Sequence, residues 1–232
     1  MRRSAIYLIC AVATLAGCSA SDESALPIAE QPIFEEVGPG AYYIDNDRDP
    51  ETTLRVLFTI QDQGWRSWVG TFKENASDPG RPVALTVASP THLFSDPCTL
   101  RARVTPGPTV KDFAEGLVAM SGFDLVEPIS DVIAFGFPSK HLVMAVPDAE
   151  HDPDRGFVGC TDGEYHGWGA EPIGRPEPTL TRHYQGPHHT IELWILDVEG
   201  KRLAIEKSYF PDSPASLIDE LEQLVESIRI EP

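Results

Sequence analysis

Basic residues, long apolar runs and cysteine pairs are scarce in this chain of 232 residues. No apolar run reaches the roughly 20 residues that a membrane-spanning helix needs. Lys and Arg number 18 against 36 Asp and Glu, so the formal net charge is −18 at pH 7. Nucleic acid and anionic lipid headgroups repel such an acidic chain. The composition therefore argues against a nucleic-acid partner and suits a solvated acidic surface or a cationic partner.

The motifs that mark common catalytic and nucleotide-binding sites are also missing. The chain has no Gly-x-Ser-x-Gly elbow, no glycine-rich phosphate loop and no dinucleotide fingerprint. It has no Cys-x-x-Cys pair and no Cys-His arrangement of a thiol nucleophile. We therefore predict neither catalytic residues, nor a metal site, nor a cofactor.

The N-terminal segment has the parts of an export signal. Arg2 and Arg3 precede an apolar run from Ala5 to Leu15, and small residues follow before Cys18. The ending Leu15-Ala16-Gly17-Cys18 resembles the lipobox of bacterial lipoproteins. That resemblance implies cleavage after residue 17 and a diacylglyceryl group on the Cys18 thiol. The alternative is an ordinary secretory signal that happens to contain a cysteine.

A lipid on Cys18 predicts a protein anchored to the cell membrane on its extracytoplasmic side. Residues 1–17 form the signal peptide in this interpretation. Residues 18–39 are small, acidic and interrupted by proline, which predicts a flexible tether. Residues 40–232 form one globular domain, since 41% of the residues are hydrophobic and one domain is the usual outcome for this length.

The four cysteines divide by position along the chain. Cys10 leaves with the signal peptide and Cys18 carries the lipid, so Cys98 and Cys160 remain as an even pair. In an oxidising compartment such a pair predicts one disulfide bond. A redox or metal site is the alternative, although neither cysteine has a close cysteine partner.

Apolar periodicity predicts a sheet with two helices. Thr109 caps one helix that ends near Gly122, and Ser213 with Pro214 begins the other. Pro138-Ser139 and Glu199-Gly200 are predicted turns, and 147–178 is predicted to be irregular. The predicted strands span residues 54–60, 65–72, 83–87, 133–137, 140–146, 191–198 and 203–209.

Four short motifs carry a family resemblance over residues 40–232. They are Gln63-Gly64-Trp65, Leu193 to Gly200, Ser208-Tyr209-Phe210-Pro211 and Ser227 to Ile230. The set resembles a group of functionally uncharacterised actinobacterial extracytoplasmic proteins and, more loosely, PsbP-like lipoproteins of the LpqN type. The resemblance implies an α+β fold, in which helices pack on an antiparallel sheet as an α/β/α sandwich. It also implies a cysteine pair matching Cys98 and Cys160, and it supplies no catalytic residues.

Two groups of side chains are candidates for binding. His183, His188 and His189 lie close together in sequence, and Glu192, His166 or Asp162 could supply a further zinc ligand, although exposed loop histidines are the commoner explanation. Trp65, Trp168 and Trp194 could line a cleft for an apolar ligand, although tryptophan more often fills a core.

These observations lead to two functional hypotheses. The first is a non-enzymatic, lipid-anchored module that binds a protein partner or a small amphiphilic ligand. The second is a metal-dependent hydrolase of the cell envelope that uses the region from His183 to His189. Convergence of those histidines with a carboxylate would favour the enzyme, and a cleft lined by the tryptophans would favour the ligand.

Overall fold

The computed structural model of the protein describes residues 25–45, 54–170 and 180–232. The predicted signal peptide, the predicted lipid site Cys18 and residues 18–24 of the predicted tether lie outside the described residues. None of the helices in the described ranges is long and apolar enough to cross a membrane.

Antiparallel strands dominate the described chain. The strands are β1 (Leu26–Pro27), β2 (Glu36–Val37), β3 (Gly40–Asp45), β4 (Arg55–Ile60), β5 (Trp65–Trp68), β6 (Gly70–Asn75), β7 (Asp78–Ala88), β8 (His92–Phe94), β9 (Arg103–Val104), β10 (Asp124–Ala134), β11 (Phe137–Ala145), β12 (His151–Asp152), β13 (Gly156–Phe157), β14 (Tyr165–Ala170), β15 (Leu180–Tyr184), β16 (Thr190–Val198), β17 (Lys201–Tyr209) and β18 (Arg229–Glu231). The α-helices in the described ranges are α1 (Val110–Ala119) and α2 (Ala215–Glu226), and Ile28–Glu30 and Thr161–Gly163 form short 3-10 turns.

An eight-stranded antiparallel sheet organises the fold. Its order is β10-β11-β16-β17-β7-β6-β5-β2, so the predicted C-terminal hairpin β16–β17 lies at its centre. Two four-stranded sheets, β1-β3-β4-β18 and β15-β14-β8-β9, accompany the central sheet. Only the β1–β3 pair among these described ladders is parallel. The predicted α+β class with an antiparallel sheet is therefore confirmed at this coarse level.

Each helix packs on a different face of the central sheet. Side chains alternate between faces along a strand, and in β17 Leu203 belongs to the core around α2 whereas Ala204 belongs to the core around α1. Helix α2 packs on β7, β17 and β4, and α1 packs on β10, β11 and β16. The β1-β3-β4-β18 sheet shares the α2 core, and β14 with β15 shares the α1 core.

Both helices begin near the residues that the sequence indicates. Thr109 caps α1 in a reciprocal capping box, in which the Thr109 side chain accepts from the Asp112 backbone N–H and the Asp112 carboxylate accepts from the Thr109 N–H. The buried stripe of α1 includes Phe113 and Leu117. Helix α2 begins at Ala215, directly after Pro214, which is close to the start predicted at Ser213 and Pro214.

One predicted turn is confirmed and another is wrong. Glu199 and Gly200 both have positive φ, 52° and 83°, and join β16 to β17. Pro138 and Ser139 instead lie inside β11. The β10–β11 turn is Phe135-Gly136, with φ of 53° and 89°. A bulky aromatic residue is unusual in the left-handed region, so the sequence did not mark this turn.

Two other predicted segments differ from the structure. The predicted strand at 65–72 is a tight hairpin of β5 and β6, in which Trp68 pairs with Gly70. A Cβ at Gly70 would lie 2.0 Å from the Leu85 carbonyl oxygen, and its φ is 143°, so the hairpin needs glycine there. The predicted irregular segment at 147–178 contains the fully buried strand β14; residues 171–179 lie outside the described ranges.

The second half of the predicted tether is folded. Residue Leu26 pairs with Tyr42, and Val37 pairs with Trp65 on the edge of the central sheet. Ile28 and Val37 are almost fully buried in the α2 core. The prediction of a flexible tether as far as residue 39 is therefore wrong for 25–39. This segment pairs with two sheets and buries Ile28 and Val37 in the α2 core.

Candidate functional site

The three candidate tryptophans do not line one cleft. Trp65 is buried in the α2 core, whereas Trp168 is buried in the α1 core on the other side of the central sheet. Trp194 is partly exposed and packs against the margin of the α2 core. The predicted shared cleft is therefore wrong, and of these three tryptophans only Trp194 exposes part of its indole.

The three candidate histidines have separate surroundings. His189 is buried, with its ring stacked 4.4 Å from that of Phe210, while His188 is exposed and lies 3.9 Å from the Asp148 carboxylate. His183 lies beside His166, with ring centroids 6.5 Å apart. Within the described ranges no group of three His, Cys, Asp or Glu side chains could hold a metal ion. The convergence that a zinc hydrolase would require is not observed there.

Cys98 and Cys160 form the predicted disulfide bond, with Cα atoms 4.1 Å apart. Backbone hydrogen bonds surround it, from Thr161 N to Cys98 O at 2.9 Å and from His166 N to Pro97 O at 2.7 Å. The bond joins the segment after β8 to the segment before β14. It therefore holds the loop that carries β12 and β13 against the domain.

Partly exposed aromatic side chains gather on one face of the central sheet. Neither described helix packs on this face over β10, β11 and β16, because α1 occupies the opposite face and α2 lies on β7 and β17. We call this group the aromatic ledge; it consists of Phe135, Phe137, Trp194 and Tyr209. The Phe135 ring meets the Trp194 indole edge-on, with centroids 5.7 Å apart. The Phe135 and Trp194 rings thus form a contacting pair within the ledge.

A chain of ionisable groups links the two ends of the aromatic ledge. The His141 ring lies 5.3 Å from the Trp194 indole, and His141 Nε2 is 3.0 Å from Glu192 Oε1. The other Glu192 oxygen is 2.6 Å from Lys207 Nζ, which also donates to Glu222 Oε1 at 2.5 Å. We call these four residues the Glu192 network.

Strand register places these groups side by side. His141 of β11 pairs with Trp194 of β16, and Glu192 of β16 pairs with Lys207 of β17. Opposed residues in a ladder project from the same face. Glu222 reaches the network from α2. The network therefore lies at the boundary between the part of the sheet that α2 covers and the ledge.

The Glu192 network keeps its lysine charged. Burial lowers the pKa of the Lys207 ammonium, but hydrogen bonds and charges from Glu192 and Glu222 outweigh burial and leave the pKa raised. Burial raises the pKa of Tyr209, the Lys207 charge lowers it, and the charges of Glu192, Glu222 and Glu127 raise it further, so that the pKa remains raised. Lys207 also lies 5.4 Å from the Tyr209 ring centroid. With one lysine between two glutamates, the surface beside the rings is net negative.

The opposite face of the sheet holds a closed polar centre. Glu206 is fully buried and accepts from Arg182 Nε at 2.6 Å, from Trp168 Nε1 at 2.9 Å and from the Tyr184 hydroxyl at 3.2 Å. Arg182 also donates to Ser208 Oγ at 2.9 Å. Burial, with the Glu206 charge, raises the pKa of Tyr184 well above its usual value. Each Glu206 oxygen is satisfied by protein groups, which describes a structural ion pair rather than an open site.

The sequence marks Trp194 as a candidate for ligand binding and Glu192 as a candidate zinc ligand, but it predicts neither the aromatic ledge nor the Glu192 network as a unit. Glu192 and Lys207 lie in strands predicted correctly, and equal spacing from the Glu199-Gly200 turn pairs them. That register was a usable signal. His141 and Phe135 had no such signal, because the β10–β11 turn was misplaced and their neighbours come from a distant part of the sequence.

The described residues form a domain of mostly antiparallel strands with two helices, and the Glu192 network lies beside partly exposed aromatic rings on one face of its central sheet. No protein-family model matches the chain, and no curated protein matches it. Among solved structures the chain is similar to LpqN, described as involved in cell envelope biogenesis of Mycobacterium tuberculosis. That match has 12% sequence identity and a TM-score of 0.43, and it covers 84% of this chain and 92% of LpqN. The likeness to LpqN suggested by the sequence is thus found as a partial structural similarity.

Proposed function

We propose that the protein is a non-enzymatic binding module, anchored through a lipid on Cys18 to the extracytoplasmic side of the cell membrane. Its aromatic ledge binds a small amphiphilic ligand, or a segment of a protein partner, that carries a cationic group. The observation that carries this proposal is the position of the Glu192 network between two partly exposed rings, with Trp194 beside His141 and Tyr209 beside Lys207.

The chemistry of the ledge selects for an apolar group next to a positive charge. Aromatic faces attract cations and apolar chains, while Glu192 and Glu222 supply negative charge at the same place. Lys207 is already bound to both carboxylates, so it is not free to attract an anion. The net charge of −18 repels anionic ligands at longer range.

The anchor is tested by fractionating cells that express the full chain. Cys18→Ser should move the protein from the membrane fraction to the soluble fraction, because it removes the thiol that carries the acyl chains. Cys10→Ser changes a cysteine of the same apolar segment and should leave the membrane fraction unchanged. Equal membrane association of Cys18→Ser and the wild-type protein would contradict the anchor.

The ledge is tested with dodecyltrimethylammonium below its critical micelle concentration. Titration of the wild-type protein should produce a saturable change in tryptophan fluorescence, because the ligand covers the Trp194 indole. Trp194→Phe should abolish that change, while Trp68→Phe, which removes another partly exposed indole, should preserve it. A change that persists in Trp194→Phe would place the ligand elsewhere and contradict the proposed site.

A further inference from the structure

A second apolar surface lies at the other end of the central sheet. Ile33 is 67% exposed and Phe34 is 53% exposed. The Phe34 ring stacks on the Trp68 indole, with centroids 5.2 Å apart and an interplanar angle of 18°, and it meets Phe72 edge-on at 6.1 Å. We call these four residues the Phe34 patch.

The Phe34 patch is held rigidly by the backbone beneath it. Phe34 N donates to Ser67 O at 3.0 Å, and Ser67 N donates to Glu35 O at 3.0 Å. Arg66 Nη1 donates to Phe34 O at 2.9 Å, and the Ser67 hydroxyl donates to Pro32 O. The segment before β2 is therefore fastened to β5, and its two exposed side chains keep a fixed direction.

Folding alone gives no reason for this arrangement. Phe34 has a φ of 67°, an unfavourable backbone conformation for a bulky aromatic residue, and more than half of its surface still contacts solvent. Ile33 is exposed to an even greater degree. A rigid apolar surface that is not used by the core is typical of an interaction site.

The position of the patch in the chain indicates its partner. Leu26 begins the first strand and is eight residues after Cys18, so a chain between them spans at most about 28 Å. Ile33 follows Leu26 by seven residues, and the N-terminal segment joins the central sheet through the pairing of β2 with β5, the strand that carries Trp68. Because 25–39 is folded rather than a free tether, a lipid on Cys18 holds this end of the domain near the bilayer.

We infer that the Phe34 patch docks on the surface of the membrane that holds the lipid of Cys18. This inference rests on the proposed lipid anchor. Tryptophan is suited to the membrane interface because its ring can enter the lipid while its N–H stays hydrated, and phenylalanine and isoleucine contribute apolar surface that enters the lipid. Glu30, Glu35 and Glu36 belong to the same segment, so docking favours zwitterionic or uncharged headgroups over anionic ones. Docked in this way, the domain has one fixed orientation on the membrane.

The test uses the mature acylated protein reconstituted into phosphatidylcholine vesicles that contain brominated lipid. Bromine quenches tryptophan on contact, and the difference between wild-type protein and Trp68→Phe isolates the Trp68 signal. Docking predicts that the Trp68 signal is quenched. The double variant Ile33→Ser with Phe34→Ser should lose that quenching, whereas Ile133→Ser, at a residue 74% exposed on β10, should retain it.

Intact mass and oligomeric state distinguish the ways in which the inference could fail. Acylated protein whose Trp68 signal is not quenched contradicts docking and leaves the anchor standing. A mass without acyl groups contradicts the anchor, and the docking falls with it. A dimer that dissociates in the Ile33→Ser with Phe34→Ser variant assigns the patch to a second copy of the chain and overturns the membrane as its partner.

Discussion

Buried charges have different roles on the two faces of the sheet at the scale of single residues. Glu206 and Arg182 are enclosed and satisfied by each other and by Trp168, Tyr184 and Ser208. Glu192 and Lys207 are paired just as closely, but Glu222, the second carboxylate bound by Lys207, is about half exposed. Strands β16 and β17 each contain a single glutamate that follows an apolar residue, so local sequence could not distinguish the enclosed carboxylate from the one beside the aromatic ledge.

His189 makes the stability of the protein depend on pH. Burial lowers its pKa well below the usual value, and the charges of Arg182, Arg81 and His183 lower it further. An unfolded chain binds a proton at this residue near pH 6.5, and the folded chain does not. The free energy of unfolding should therefore decrease as the pH falls below about 6.5, by up to about 1.4 kcal/mol per pH unit for this residue.

The measurement is urea unfolding between pH 7.5 and pH 5 on the wild-type protein and two variants, a range set around the usual histidine pKa of about 6.5. His189→Phe keeps a ring against Phe210 but has no titratable group, so its stability should decrease less steeply with acid. His188→Asn changes the exposed neighbour, whose φ of 64° asparagine tolerates, and should retain the wild-type slope. Equal slopes for wild-type protein and His189→Phe would show that His189 is not responsible.

The strands and helices that could be predicted from sequence are those with a clear period and a recognisable turn or cap. The central hairpin β16–β17 and both helices follow from periodicity, caps and the Glu199-Gly200 turn. The β10–β11 hairpin was misplaced because Phe135 adopts a conformation that its residue type disfavours. The short strands β1 and β2 were missed because two residues are too few to show a period, and tertiary packing alone orders them.

The disulfide bond should contribute a large part of the stability of its loop. Cys98 and Cys160 are separated by 62 residues, and closing a loop of that size contributes about 4 kcal/mol in the chain-entropy estimate. Cys98→Ser with Cys160→Ser should lower the free energy of unfolding by about this amount in urea denaturation. Hydrogen exchange at the Thr161 amide should accelerate, because its acceptor is the Cys98 carbonyl.

A matched comparison separates the disulfide bond from the serine substitutions. Reducing the wild-type protein should lower its free energy of unfolding by the same amount as the double substitution does without reductant. Unchanged stability of the reduced protein, with Thr161 still protected, would show that the surrounding hydrogen bonds alone hold the loop.

Within the described residues, the central sheet has one enclosed face and one face that is partly open over β10, β11 and β16. The periodicity of apolar residues predicted a sheet with two helices, and the even pair Cys98 and Cys160 predicted the disulfide bond. The aromatic ledge could not be predicted as a unit, because Phe135 and His141 meet Trp194 only through the order β11-β16-β17. Strand order depends on which apolar faces fit together, and local sequence patterns do not encode it.

Recognition of a cationic amphiphile is the property proposed for the aromatic ledge. Calorimetric titration with three ligands of equal chain length, dodecyltrimethylammonium, dodecyl maltoside and dodecyl sulfate, each below its critical micelle concentration, tests it most directly. We expect saturable binding of dodecyltrimethylammonium alone among the three, weakened about tenfold by Glu192→Gln, which corresponds to about 1.4 kcal/mol. Equal binding of all three ligands, or cation binding unaffected by Glu192→Gln, would contradict this proposal.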